Sequence, residues 1–259
     1  MGYEKIRGMT MTQNQMRKYH QTPLRHIECK RKEKYYSAAA AQLETSLQGL
    51  GERKLRRDSG MSNIVSLVDR ISLEGGTAVL LNEFGFLLSC FHQVDYLMKD
   101  QTRVEALRGV YINGRAARID PTFFASDSEH DLALLRVLGS PEEVEPIFLS
   151  SQELPQREGV EYFSFANGRE LSANFGQVCR ASYDVYFPTK ERIDSLAFYG
   201  ESQRGFSGAP LFNQRGELVG NLFGAGEIDG EEVNFATKGK YICALLQDVI
   251  AHLQHIQKE

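Results

Sequence analysis

Residues 75 to 94 read GGTAVLLNEFGFLLSCFHQV, and the architecture is decided here. Thr77 to Leu81 is a short apolar run, Asn82 to Gly85 supplies turn residues, and Gly85 to Cys90 is a second apolar run. Neither run is long enough for a helix, so the pair reads as a β-hairpin closed by its own turn chemistry. The hairpin ends two residues before a histidine, His92. Taken alone, a histidine after an apolar strand is more often a packed core residue than a catalytic one.

The same texture extends outward. Ile64 to Val68, Val110 to Ile112, Ala116 to Ile119 and Leu132 to Val137 are short and apolar, and Asn113-Gly114 is a hairpin-turn pair. Beyond residue 158 come Val160 to Phe165, Gly176 to Ala181, Leu196 to Tyr199, Ala209 to Phe212, Glu217 to Phe223 and Val233 to Thr237. About a dozen short strands with tight turns indicate an all-β fold of barrels or a sandwich, not an alternating α/β sheet. Tyr241 to Gln257 then places Ile242, Leu245, Leu246, Val249, Ile250 and Leu253 on one face, the stripe of an amphipathic helix docked on the body. Upstream, Ala38 to Ala41 with Leu43, Leu47 and Leu50 predict a helix within Lys32 to Leu50 that stops at Gly51. Residues 1 to 31 are polar and aperiodic and predict irregular structure; residues 51 to 60 read as a basic linker. The expected organisation is a basic, partly helical extension over 1–60 and a globular domain over 61–259.

Composition excludes several classes. With 259 residues and 42% hydrophobic positions the chain can bury one or two ordinary cores. No apolar run reaches the length of a membrane span, and nothing reads as an export signal. Cys29, Cys90, Cys179 and Cys243 are widely spaced, which fits reduced thiols in a cytoplasmic protein better than a disulfide scaffold. His20, His26 and Cys29 have no metal-site spacing, and neither a metal nor a cofactor is expected. The net charge of −4 hides an asymmetry: residues 1–60 carry 13 Lys/Arg against 6 Asp/Glu, and the remainder 17 against 28. A basic arm lying on its own acidic body accounts for this more simply than nucleic-acid binding does, since no aromatic or basic motif accompanies it.

Three patterns carry chemistry, in order: Ser89-Cys90-Phe91-His92-Gln93-Val94, His130-Asp131-Leu132-Ala133-Leu134, and Gly205-Phe206-Ser207-Gly208-Ala209-Pro210-Leu211. A serine hydroxyl is a poor nucleophile until an imidazole takes its proton, and the imidazole needs a carboxylate to hold its tautomer. Asp127, Glu129 and Asp131 all lie near the second pattern, and His130 stands among them. Together with Gly75-Gly76-Thr77-Ala78-Val79, Asn174-Phe175-Gly176-Gln177-Val178, Gly216-Glu217-Leu218-Val219-Gly220 and Asn234-Phe235-Ala236, the set resembles the trypsin-like serine proteases, most nearly the HtrA-type (DegP-like) peptidase domain, over residues 64 to about 250.

The resemblance implies two six-stranded antiparallel barrels, about 61–140 and 155–240, followed by helix 241–257. It implies His92 as base, Asp131 as its orienter and Ser207 as nucleophile, with the N–H groups of Gly205 and Ser207 as oxyanion hole. It places Glu201 at the floor of the primary specificity pocket, and Asn221, Leu222 and Phe223 on the strand edge that pairs with extended substrate. Substrates would be proteins or peptides, with a regulatory protein partner for the N-terminal extension. Three departures are visible: Ala209 stands where a second glycine is usual, no PDZ module follows the helix, and Phe206 replaces the Asp that trypsin-like zymogens pair with a freed α-amino group. Two rivals are weighed. An α/β-hydrolase using Ser207, Asp248 and His252 would need both partners on one C-terminal helix; a catalytically silent scaffold on the protease fold would not need the complete triad.

Overall fold

The computed structural model describes residues 25–29, 36–48, 63–69, 75–95, 107–111, 115–139, 144, 146–166, 170–186 and 192–256. The Asn113-Gly114 turn, the 51–60 linker and most of the 1–31 arm lie outside them.

The first half holds eight strands: β1 (Arg25–Cys29), β2 (Ile64–Asp69), β3 (Gly75–Leu80), β4 (Phe86–Cys90), β5 (Leu107–Tyr111), β6 (Ala116–Ile119), β7 (Phe123–Asp127) and β8 (Leu132–Leu138). Their order is β1-β7-β8-β4-β3-β2-β5-β6, and the β6–β8 pairing closes the last six into a ring. The second half is a closed barrel, β10-β11-β14-β13-β12-β9, formed by β9 (Gly159–Ala166), β10 (Glu170–Tyr186), β11 (Arg192–Tyr199), β12 (Pro210–Phe212), β13 (Leu218–Ile228) and β14 (Glu231–Lys238). Helices α1 (Tyr36–Leu47) and α2 (Gly239–Ile256) pack together on the body. Among the described residues the strands pair antiparallel, with one isolated parallel bridge between Leu149 and Leu218, so the α/β-hydrolase reading with its parallel sheet is removed.

The apolar runs that suggested strands are apolar throughout because both faces are buried. Along β3 and into the turn, Ala78 and Leu80 point into the first barrel while Val79 and Leu81 point outward, and β4 alternates likewise at Phe86, Leu87 and Leu88. The outward set shares one cluster with Phe163, Phe165 and Phe212 of the second barrel, with Ala39, Ala40 and Leu43 of α1, and with the six predicted apolar residues of α2. Part of the segment expected as an extension is therefore built into the body: α1 covers the core, and β1 adds to β7 with Ile27 opposite Ala125. The strand β1 corrects the irregular reading of residues 1–31, in which no alternation is visible.

One ionic cluster ties the second barrel to α2. The Asp194 carboxylate accepts from Lys238 at 2.6 Å, from Lys240 at 3.0 Å, from the Tyr241 hydroxyl at 3.0 Å and from Ser182. Burial by itself would push its pKa up, but these four donors outweigh that and hold the carboxyl well below the usual carboxylate range. A carboxyl so depressed contributes stability above its unfolded pKa of about 4 and loses it as pH falls through the folded value. Asp194→Asn should cost about 2 kcal/mol at pH ~7, a fall of roughly 4–8 °C in Tm. In thermal melts the gap between wild type and variant should shrink below pH ~4. An unchanged gap at pH ~3 would contradict the assignment.

Candidate active site

Two of the sequence-named residues, His92 and Asp131, are in contact where the two barrels meet, and the loop of the third, Ser207, is bonded to the residue after His92. β4 runs into a single 3₁₀ turn, Phe91–Gln93, which holds His92 half-buried at the barrel rim. Asp131 immediately precedes β8, the strand paired with β4, and is 1% exposed. Its backbone carbonyl accepts the Phe91 N–H at 3.1 Å, its Oδ1 accepts the His92 N–H at 2.8 Å, and its Oδ2 lies 2.6 Å from His92 Nδ1. One aspartate thus fixes both the turn and the ring. It does so with φ at +53°, a left-handed conformation that Asp tolerates better than most residues. The neighbouring acids do not compete, since Asp127 is bonded to His130 Nδ1 at 3.0 Å and Glu129 is exposed. His92 Nε2 has no bonded partner among the described residues.

Ser207 lies on a tight loop between β11 and β12. Gly205 and Gly208 take φ of +97° and +86°, values an L side chain rarely adopts. A Cβ on Gly208 would also stand 1.9 Å from the Thr77 carbonyl. The Gly208 N–H donates to the Leu222 carbonyl at 2.7 Å, and Ala209 donates to the Phe206 carbonyl at 2.9 Å. The backbone N–H groups of Gly205 and Ser207 donate to no described acceptor. The Ser207 hydroxyl reaches the Phe223 carbonyl at 3.4 Å and makes no bond to His92. Phe206 is buried in the second barrel's core, edge-on to Tyr162 at 6.4 Å.

The specificity residues are redistributed. Glu201 is exposed, not enclosed at a pocket floor; the buried group beneath it is the Tyr162 phenol, which donates to the Glu201 carbonyl at 2.6 Å. Burial first, and the nearby Glu201 charge second, push that phenol up to about 12. Of the strand positions, Asn221 already pairs with Pro210, and Leu222 exchanges both backbone bonds with Gly208 and Ala209. Because β12 is only three residues long, β13 pairs with β14 alone from Gly224 onward among the described residues. The open edge therefore begins beside Phe223, two residues later than the sequence suggested.

Cys90 was passed over. Its thiol is wholly buried, donates to the Leu222 carbonyl at 3.2 Å and accepts from Asn221 Nδ2 at 3.3 Å. Burial chiefly, and then the charge of Asp131, push it well above the ordinary thiol range, so it stays protonated. A cysteine two residues before a histidine in an apolar strand reads simply as core. Cys90, His92 and Asp131 bring ligand atoms within 4.8 Å of one another, but the neutral thiol and the Nδ1–carboxylate bond occupy the donors a cation would need. Asp127, Glu129 and His130 form the other such group among the described residues, with the ring nitrogen already bonded to Asp127. Of His26 and Cys29 only the backbone is described, and His20 lies outside the described residues.

Residues 76–220, more than half of the chain, match the family described as trypsin-like peptidase domain. No curated protein matches the chain in sequence. Among solved structures, the inactive form of the Rv3671c protease of M. tuberculosis is similar at TM-score 0.58 and 16% identity, over 74% of this chain and 91% of that one. Deg5 is similar at 0.56 and 19% identity, over 75% and 92%. The serine endoprotease of Yersinia pestis is similar at 0.57 and 17% identity, over 75% and 65%. At these identities the likeness is one of fold.

Proposed function

Because the chain belongs to the trypsin-like peptidase family, we propose that it hydrolyses peptide bonds of protein substrates with Ser207 as nucleophile, His92 as general base and Asp131 as orienter. The observation that supports this most is the 2.6 Å contact of Asp131 Oδ2 with His92 Nδ1, which holds that nitrogen protonated and leaves Nε2 as the basic face. An extended peptide adds to the open edge beyond Phe223 as a further strand. The Ser207 hydroxyl turns from the Phe223 carbonyl to His92 Nε2, gives up its proton there, and Oγ attacks the scissile carbonyl carbon. The oxyanion is received by the N–H groups of Gly205 and Ser207, which no acceptor among the described residues competes for. Imidazolium then protonates the leaving amine, and water repeats the cycle on the acyl-enzyme.

A second reading is favoured by one observation, the Ser207 hydroxyl bonded to Phe223 in place of His92. On that reading the protein is a binding scaffold with the protease fold.

Activation should need no cut before Ile64. Phe206 offers no carboxylate to a new ammonium, and its ring is buried among apolar neighbours where an unpaired charge is costly. Ile64 is itself buried in β2 opposite Val79, while Asn63 holds the Leu80 carbonyl at 2.7 Å and N–H at 2.8 Å. The test is a peptide library incubated with the uncut chain and with a chain beginning at Ile64. Cleavage by the uncut chain, equal to or above the trimmed one, is expected. Activity confined to the Ile64 terminus would overturn this view of activation, and no cleavage by either would favour the scaffold.

A further inference from the structure

The first barrel grips the Ser207 loop through polar groups that the steps above leave unused. Thr77 in β3 is wholly buried; its backbone N–H donates to the Ser207 carbonyl at 2.9 Å and its hydroxyl to the Gly205 carbonyl at 2.9 Å. The same hydroxyl accepts the Phe165 N–H at 2.9 Å, so its single proton is committed to Gly205. Gln93, the residue after His92, donates Nε2 to the same Ser207 carbonyl at 2.9 Å. The Ser89 hydroxyl stands 2.8 Å from both Gln93 Oε1 and the Thr77 carbonyl and steadies the pair.

These bonds decide how the loop is oriented. The peptide unit after Gly205 is held at its oxygen by Thr77 and at its N–H by the Gln203 carbonyl at 3.2 Å. The unit after Ser207 is held at its oxygen by Thr77 and Gln93 and at its N–H by Leu222 at 2.7 Å. The unit between them is held at its own oxygen, that of Phe206, by the Ala209 N–H at 2.9 Å, so the direction of the Ser207 N–H and of its Cβ is set by all three. Gln93 also shares its turn with His92, so the bond that seats the nucleophile is anchored on the element that carries the base.

We propose that Thr77 and Gln93 are positioning residues, an inter-barrel clasp that sets Ser207 and its N–H against His92. This rests on the peptidase reading. A merely structural role would lower stability and leave turnover of the folded fraction alone; a positioning role lowers kcat at nearly constant KM.

The test measures fluorophosphonate acylation and peptide kcat and KM for full-length wild type, Thr77→Val, Thr77→Ser and Gln93→Met, with melting curves for each. Thr77→Val and Gln93→Met should lose about 10–100-fold in kcat and in acylation rate, with KM within about two-fold. Thr77→Ser keeps the hydroxyl and should stay within about three-fold of wild type. Should Thr77→Val fail to fold, Gln93→Met and Thr77→Ser carry the same contrast. Folded Gln93→Met with wild-type kcat, or losses confined to KM, would overturn the clasp alone. Wild type that is not acylated at all would overturn the peptidase reading and the clasp with it.

Discussion

Ser207→Ala and His92→Ala should each lower kcat for peptide cleavage by about 10⁴-fold or more while the fold survives. Removing the hydroxyl deletes the atom that bonds to the acyl group; removing the imidazole leaves that hydroxyl at its weak intrinsic reactivity. The two losses should not add, since each member acts only through the other, and the double variant should be no slower than the singles. Stability should change little. The Ser207 hydroxyl makes one long bond of 3.4 Å, and His92 lies at the rim, held mainly through Asp131. Purified variants with matched circular dichroism and kcat/KM within about ten-fold of wild type would remove the mechanism.

Asp131→Asn should cost about 10⁴-fold in kcat for a different reason. Asn is nearly isosteric, tolerates φ of +53°, and can still accept the His92 N–H through its oxygen. Its amide NH₂ would then face His92 Nδ1 and donate to it, leaving the ring proton on Nε2, where a base is required. The loss should therefore come without a comparable loss of structure. Asp131→Ala should lose activity and stability together, because it also frees the Phe91–Gln93 turn and leaves the His92 N–H unpaired. Comparing kcat and Tm of the two variants checks this; equal activity in Asp131→Asn and wild type would show that Asp131 is only a structural anchor.

Some of this was legible before any coordinates. The α2 stripe from Ile242 to Leu253 was readable because an amphipathic helix declares its buried face in its own period, and β3 and β4 because a strand buried on both faces is apolar throughout. β7 was missed because two of its five residues, Ser126 and Asp127, are polar although both are buried. β10 was read as six residues out of 17, because Glu170, Ser172, Asn174, Ser182 and Asp184 interrupt the apolar residues at its ends. At the site, the three motifs carried the triad candidates. Thr77, Gln93 and Cys90 stayed hidden because their partners lie 128, 114 and 132 residues away. Glu201 is exposed, which counting back from Ser207 could not tell, because spacing says nothing of which way a loop side chain faces.

The central claim is that His92 and Asp131 activate Ser207, and site-resolved fluorophosphonate labelling tests it most directly. The uncut wild-type chain is treated with the probe, digested and mapped by mass spectrometry, beside Ser207→Ala and His92→Ala. The account predicts a single adduct on Ser207, absent in Ser207→Ala and slowed by about 10³-fold or more in His92→Ala. A folded wild-type chain that stays unlabelled, or one labelled equally well without His92, would contradict it.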